Sequence, residues 1–60
     1  FIKQDITYRT FTSNTIDELK DIWVNELMND GWDIEKPVDV RFNIIKRHYE
    51  YYFIAKHIKP

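Results

Sequence analysis

The sequence predicts an α+β fold in which a single helix packs on one face of a three-stranded, mainly antiparallel sheet, in the order β-α-β-β. Three observations support this prediction: a β-rich first segment, one amphipathic helical segment that ends at the only glycine, and a long alternation of apolar and polar residues. The 60 residues contain no linker or repeat, so we expect one compact domain over residues 1–60. Because cysteine is absent, a core of a few large aromatic side chains must stabilise it.

The first element is expected to be a strand over residues 3–12, since isoleucine, threonine, tyrosine and phenylalanine favour β structure. A helix should follow, with Ser13 or Asn14, or a residue within two positions of them, as its N-terminal cap. Asp17 and Glu18 then fall in its first turn, where the positive end of the helix dipole favours acidic side chains.

The apolar residues of the next segment recur at spacings of three and four, which predicts one buried stripe on a helix: Ile16, Leu19, Trp23 and Leu27. Gly31 stands where helices commonly end in a left-handed residue, so we expect the helix to end at Asn29 or Asp30. Val24 and Met28 lie on a flank of this stripe. They either widen the buried face or offer a further docking point.

Residues 32–36 are expected to form a short extended piece before Pro37, which has no amide to donate to a sheet. The alternation after Pro37 predicts a hairpin that turns around Arg47 and His48. Its apolar cross-strand pairs would be Ile44–Tyr51, Phe42–Phe53 and Val40–Ala55, with Asp39 opposite Lys56 on the other face.

Trp23 is expected at the centre of the core, between Phe42 and Phe53, with Trp32 closing the C-terminal end of the helix. The pattern leaves open whether the first strand lies beside the second or the third. If it were a parallel neighbour, the crossover should be right-handed.

The stretch "ELMNDGWDIEKPV" resembles a group of small uncharacterised bacterial and phage domains, in which a strand and a helix lead into a Gly-Trp-acid turn and a closing hairpin. The resemblance rests on Leu27, Gly31, Trp32 and Asp33 and on the order of the elements. The group usually has glutamate at the position of Asp33. The resemblance implies a β-α-β-β fold and a bacterial or phage source, and it implies no activity.

No arrangement of residues predicts a reaction, a cofactor or a metal site, so we expect that the protein is not an enzyme. His48 is interpreted as a solvated turn residue, His57 as a partly buried residue opposite Val38, and Ser13 as a helix cap. One glycine is too few for a glycine-rich phosphate loop, and no Cys/His cluster has zinc-ligand spacing. No apolar run approaches the roughly 20 residues of a membrane span, and no signal pattern opens the chain, so a cytoplasmic location is expected.

The sheet face away from the helix is the predicted binding surface, and its partner would be a second copy of the chain or another protein. Exposed Ile45, Tyr52 and Ile54 would give it an apolar patch larger than small monomers usually show. The partner-binding residues predicted on this face are Arg41, Asn43, Ile45, Tyr52, Ile54 and Lys56.

The alternative is that the hairpin binds single-stranded nucleic acid, with rings stacking on bases and cations following phosphates. The residues predicted for this role are Arg41, Lys46, Arg47, Tyr52 and Lys56. Residues 1–35 carry a net charge of −5 and residues 36–60 one of +4, which sum to −1. Because nucleic-acid surfaces usually have a clear positive excess, a protein partner is the preferred expectation.

Overall fold

The computed structural model describes residues 5–59 and confirms the predicted α+β fold. Strand β1 spans Asp5–Ser13, and helix α1 spans Ile16–Ile22 and continues through a π-helical turn and a 3-10 turn to Asp30. Strand β2 spans Trp32–Asn43 and β3 spans His48–Lys59. The predicted start of the first strand at residue 3 lies outside the described residues.

Strand β3 is the central strand of the sheet, with β1 on one side and β2 on the other. Both pairings are antiparallel, and β1 places Phe11 directly opposite Phe53. The strand order that the sequence left open is therefore β1-β3-β2, and β1 and β2 are the two edges.

The helix is capped by Thr15, one residue after Asn14 and within the predicted range. The Thr15 hydroxyl accepts a hydrogen bond from the Glu18 amide at 3.3 Å. Ser13 supports this cap indirectly, because its hydroxyl donates to the Glu18 carboxylate and accepts from the Thr15 amide at 3.3 Å. The Thr15 to Glu18 spacing is that of a capping box.

The helix ends at Asp30, as predicted, and Gly31 follows with a left-handed φ of 82°. A side chain from the sheet supports this end: His57 Nε2 lies 3.0 Å from the Asp30 carbonyl oxygen. The ring of Trp32 packs on His57 at a centroid distance of 5.1 Å. The C-terminal end of the helix is therefore held against β3.

A π-helical turn over Trp23–Leu27 interrupts the α-helix, and the Met28 amide bonds back to the Trp23 carbonyl. Leu19 and Leu27 are eight residues apart, which on a regular α-helix would separate them by about 80° around the axis. A π turn accommodates one extra residue, which reduces this angle to about 20°. Both leucines therefore face the core, whereas Ile16 of the predicted stripe is exposed.

The core consists of Leu19, Leu27, Phe53 and Ala55, with five partly buried side chains packed against them: Phe11, Ile22, Trp23, Trp32 and Tyr51. Phe53 is its centre, stacked on Phe11 at 5.2 Å and met edge-on by Trp23 at 6.4 Å. The expectation of Trp23 between Phe42 and Phe53 was wrong, because Phe42 is 49% exposed and outside this cluster.

The register of the hairpin differs from the predicted one by four residues. Phe42 lies opposite Tyr49 instead of Phe53, Val40 opposite Tyr51 instead of Ala55, and Asp39 opposite Tyr52 instead of Lys56. The cause is the loop, which occupies residues 44–47 and not the predicted turn around Arg47 and His48. A shift by an even number leaves every strand side chain on its predicted face.

The loop closes on Asn43 and on a left-handed Arg47. The Asn43 carbonyl accepts from the Arg47 amide at 2.8 Å, and the Asn43 side chain accepts from the Lys46 amide at 3.0 Å. Arg47 has a φ of 57°. This places Ile44, predicted on the apolar face, in the loop.

Strand β2 includes the predicted separate piece before Pro37 and continues through it. The pairing with β3 shifts between Ile34 and Lys36 and again between Lys36 and Asp39. Pro37 is tolerated because it lies in an edge strand at an irregularity of the ladder. Within residues 5–59, no helix is long and apolar enough to cross a membrane.

Candidate interaction surfaces

The sheet face away from the helix, called here the open face, carries five of the six predicted partner-binding residues: Arg41, Asn43, Tyr52, Ile54 and Lys56. The sixth, Ile45, does not belong to it. It lies in the loop and is 93% exposed, because the shifted register moves residues 44–47 out of the strands. The open face therefore lacks Ile45 beside Tyr52, although exposed Ile6, Tyr8 and Ile58 lie on it toward β1.

Tyr52 at the centre of the open face is covered by two cations. Arg41 Cζ lies 5.0 Å and Lys36 Nζ lies 5.5 Å from the centroid of its ring. Such cation–π contacts keep an aromatic ring engaged within its own chain. The nearby Tyr52 side chain also raises the pKa of Lys36.

Glu50 is a buried carboxylate on the open face that the sequence analysis did not single out. It is 5% exposed and accepts two hydrogen bonds on one oxygen, from Asn43 Nδ2 at 3.0 Å and from Arg41 Nε at 3.2 Å. These contacts, that of Asn43 above all, lower the pKa of Glu50 against the opposing effect of burial. The only sequence signal for this cluster was the opposite charges of Arg41 and Glu50, which become neighbours only in the correct register.

Because the pKa of Glu50 is lowered on folding, its contribution to stability is present above the unfolded pKa and disappears as the pH falls through the folded value. We expect the parent protein to lose more stability than Glu50→Gln as the pH is lowered below the ordinary glutamate pKa of 4.5. Urea denaturation at a series of pH values measures this difference. Glu26→Gln, which removes an exposed acid from the helix, serves as the control for the loss of one carboxylate. Parallel acid profiles for the parent and Glu50→Gln would contradict the role of the cluster.

The residues predicted to bind nucleic acid are divided between two places. Arg41, Tyr52 and Lys56 lie on the open face, whereas Lys46 and Arg47 lie in the loop. Lys56 Nζ is 3.1 Å from a Glu35 carboxylate oxygen, and this hydrogen bond raises the pKa of Lys56. The three residues on the open face are thus engaged with groups of their own chain.

A group of exposed apolar side chains lies on the helix side of the hairpin. We call four neighbouring members of this group the hairpin surface: Val38, Val40, Phe42 and Tyr49. Phe42 meets Tyr49 edge to face at 5.1 Å, and Tyr49 is 70% exposed. The sequence analysis placed Val40 and Phe42 correctly on the helix side and expected that the helix would cover this face.

The helix leaves the hairpin surface uncovered because of its position on the sheet. Helix α1 packs mainly on β1 and β3, while β2 meets the helical segment chiefly at its last turn, Met28–Asp30. The molecule is elongated, with extents of 46 × 23 × 15 Å. Between the helix and β2 an apolar groove of about 340 Å³ remains open, bordered by Ile16, Trp23, Ile34 and Val38.

The remaining candidate residues do not converge on a chemical centre. His48 is the first residue of β3, and not a turn residue, and His57 lies opposite Trp32, and not Val38. Val24 and Met28 are exposed on the helix. Among residues 5–59, no group of three or more histidine, aspartate or glutamate side chains is placed to hold a metal ion.

Comparisons of the chain with protein-family models, with curated proteins and with solved structures found no match. The resemblance of residues 26–38 to small bacterial and phage domains therefore stays a prediction. What the chain does must be inferred from its own surfaces.

Proposed function

We propose that this chain is a non-enzymatic protein-interaction module that binds through the hairpin surface. The observation that carries the proposal is that four large apolar side chains, on one face of two paired strands, all remain exposed beyond the helix. Scattered exposed apolar residues are normal on a small protein, but a contiguous group of this kind marks a contact surface. A bacterial or phage source remains part of the proposal through the resemblance alone.

The hairpin surface is better suited to this role than the open face. On the open face, charged side chains cover the central aromatic ring, and Tyr52 and Ile54 are half-buried. On the hairpin surface, Phe42 and Tyr49 present their rings to solvent. Apolar area that is exposed in the free protein is what a partner can remove from water.

Binding of single-stranded nucleic acid is less well supported, because the tyrosine predicted to stack on bases is covered by cations of its own chain. Tyr52 lies under Arg41 and Lys36, and Lys56 is paired with Glu35. Only Lys46 and Arg47 of the predicted set lie away from the open face, in the loop. A base would therefore have to displace two cations before it could stack on the ring.

Site-specific photo-crosslinking tests the proposed function. A benzophenone amino acid replaces Tyr49 on the hairpin surface, and Tyr8, an exposed tyrosine on the open face of β1, is the matched control position. After irradiation in the cells that naturally produce the chain, we expect one defined protein adduct from position 49 and none from position 8. Adding Phe42→Ser to the probe at position 49 should abolish the adduct. Equal adducts from both positions, or none from position 49, would overturn the proposal.

A further inference from the structure

We propose that a second copy of this chain pairs antiparallel along the free edge of β2 with Val40 opposite Val40, so that the two hairpin surfaces lie side by side on one face of the joined sheet. This inference rests on the proposed function and names its partner. The pairing would join two three-stranded sheets into one sheet with a two-fold axis at Val40, a self-complementary contact of the kind that symmetric dimers use.

The sequence of β2 around Val40 is complementary to itself when it is reversed. With Val40 on the axis, Asp39 of each copy faces Arg41 of the other, and Val38 of each faces Phe42 of the other. Opposite charges therefore meet on one face of the joined sheet, and apolar side chains meet on the other. Directly opposed pairs of these kinds stabilise antiparallel strands.

The outward backbone groups of this segment are available for such pairing. The Asn43 carbonyl points toward β3, since it accepts from the Arg47 amide at 2.8 Å across the loop. Alternation along the strand then directs the backbone groups of Phe42 and Val40 to the outer edge. In agreement with this, the Val40 amide donates to its neighbour's carboxylate, Asp39 Oδ1, at 2.8 Å.

Pairing would exchange local contacts for contacts between copies. The Val40 amide would donate to the Val40 carbonyl of the second copy, which releases the Asp39 carboxylate from that amide, while its 3.9 Å contact with Lys36 Nζ can be kept. Arg41 uses Nε for Glu50, so its two terminal nitrogens remain to receive that carboxylate. The buried Glu50 contact can thus persist in the dimer.

The structure also limits the pairing to this segment. Pro37 and the two register shifts, the second of which lies between Lys36 and Asp39, make β2 irregular before Asp39, and the loop begins after Asn43. Irregular edges resist strand addition. Within the regular edge from Asp39 to Asn43, only an axis at Val40 places Asp39 opposite Arg41, and this charge pairing selects the register of the proposed dimer.

Sedimentation equilibrium over about a hundredfold range of protein concentration tests the assembly. We expect a concentration-dependent mass that approaches twice the 7.4 kDa of one chain. Asp39→Arg places like charges opposite one another on both sides of the axis and should weaken the dimer about tenfold or more. Asp33→Arg makes the same charge change elsewhere on β2 and should leave the dimer intact. A monomer throughout the range, or equal effects of both variants, would overturn the inference.

Cysteine crosslinking tests the register, and the absence of native cysteine makes the result unambiguous. Val40→Cys should form a disulfide-linked dimer rapidly, because paired residues in a strand ladder have suitable Cα separations. Val38→Cys and Phe42→Cys should crosslink to each other when mixed, and each much more slowly alone. Tyr8→Cys on the open face gives the rate of random collision. A dimer that crosslinks at position 8 as fast as at position 40 would overturn the pairing along β2.

These outcomes separate the inference from the proposed function. A monomeric chain whose position 49 still crosslinks to a different protein would overturn self-pairing and retain the protein-interaction module. A dimer that crosslinks at Val40 supports both.

Discussion

Replacing Phe53 by alanine is expected to leave the protein largely unfolded at room temperature. Phe53 is 1% exposed, stacks on Phe11 at 5.2 Å and meets Trp23 edge-on at 6.4 Å. Truncating a buried phenylalanine typically costs about 3–5 kcal/mol through lost transfer free energy and the cavity left behind. At roughly 0.05–0.15 kcal/mol per residue, that loss is comparable to the whole stability of so small a domain.

Phe42→Ala is the matched control, since it removes the same side chain from a position that is 49% exposed. We expect that it costs less than about 1 kcal/mol of unfolding free energy, because a surface substitution leaves no cavity. Urea denaturation followed by circular dichroism compares the two variants. Equal losses would mean that Phe42 belongs to the core, and the hairpin surface would then not be a free surface. The loss of unfolding free energy in Trp23→Ala should lie between the losses in Phe53→Ala and Phe42→Ala, since Trp23 is only partly buried.

Leu19→Ala is expected to destabilise the protein by about 2–5 kcal/mol, the second large effect. Leu19 is 1% exposed and is the residue by which α1 enters the core cluster. Alanine is the best helix former, so none of this loss would come from helix propensity. The loss would instead measure how strongly the helix is held on β1 and β3.

Met28→Ala provides the comparison on the same helical segment, because Met28 is 53% exposed. We expect the free energy of unfolding to change by no more than about 0.5 kcal/mol, as for surface positions generally. Thermal and urea unfolding of the two variants side by side measure the difference. If Met28→Ala were the more damaging variant, the helix would be rotated relative to the arrangement described above.

The local elements could be predicted from the sequence because their signals are local. Gly31 after a run of helix formers predicted the end of the helix correctly, and the period-two alternation predicted which side chains share a sheet face. The helical stripe was only partly correct. Its repeat assumes a constant 100° per residue, and the π turn at Trp23–Leu27 breaks that assumption.

The pairing of the strands could not be predicted because the hairpin lacks a strong turn signal. Asn43 closes the loop through its side chain, and Arg47 adopts a left-handed conformation that few side chains other than glycine or asparagine favour. The apolar pattern alone is compatible with any shift of the strand register by an even number of residues. The predicted register placed Phe42 opposite Phe53, whereas the observed loop places Phe42 opposite Tyr49.

The exposed apolar side chains of β2 were not predicted, for a related reason. The sequence shows that one helix covers one face of a three-stranded sheet, but not which strands it covers. Since β3 is central and the helix packs on β1 and β3, the apolar residues of β2 stay uncovered on the helix side. Strand order decides this outcome, and it depends on contacts far apart in the chain.

The π turn also makes the length of the helix adjustable. In a regular α-helix, losing one residue rotates everything after it by about 100° and carries buried groups into solvent. Here, loss of Asn25 would convert the turn between Trp23 and Leu27 into ordinary α-helix while Leu19 and Leu27 kept facing the sheet. Chains that differ by one residue at this point can therefore share one fold. In an alignment of related sequences, we expect a one-residue gap in the middle of this helix.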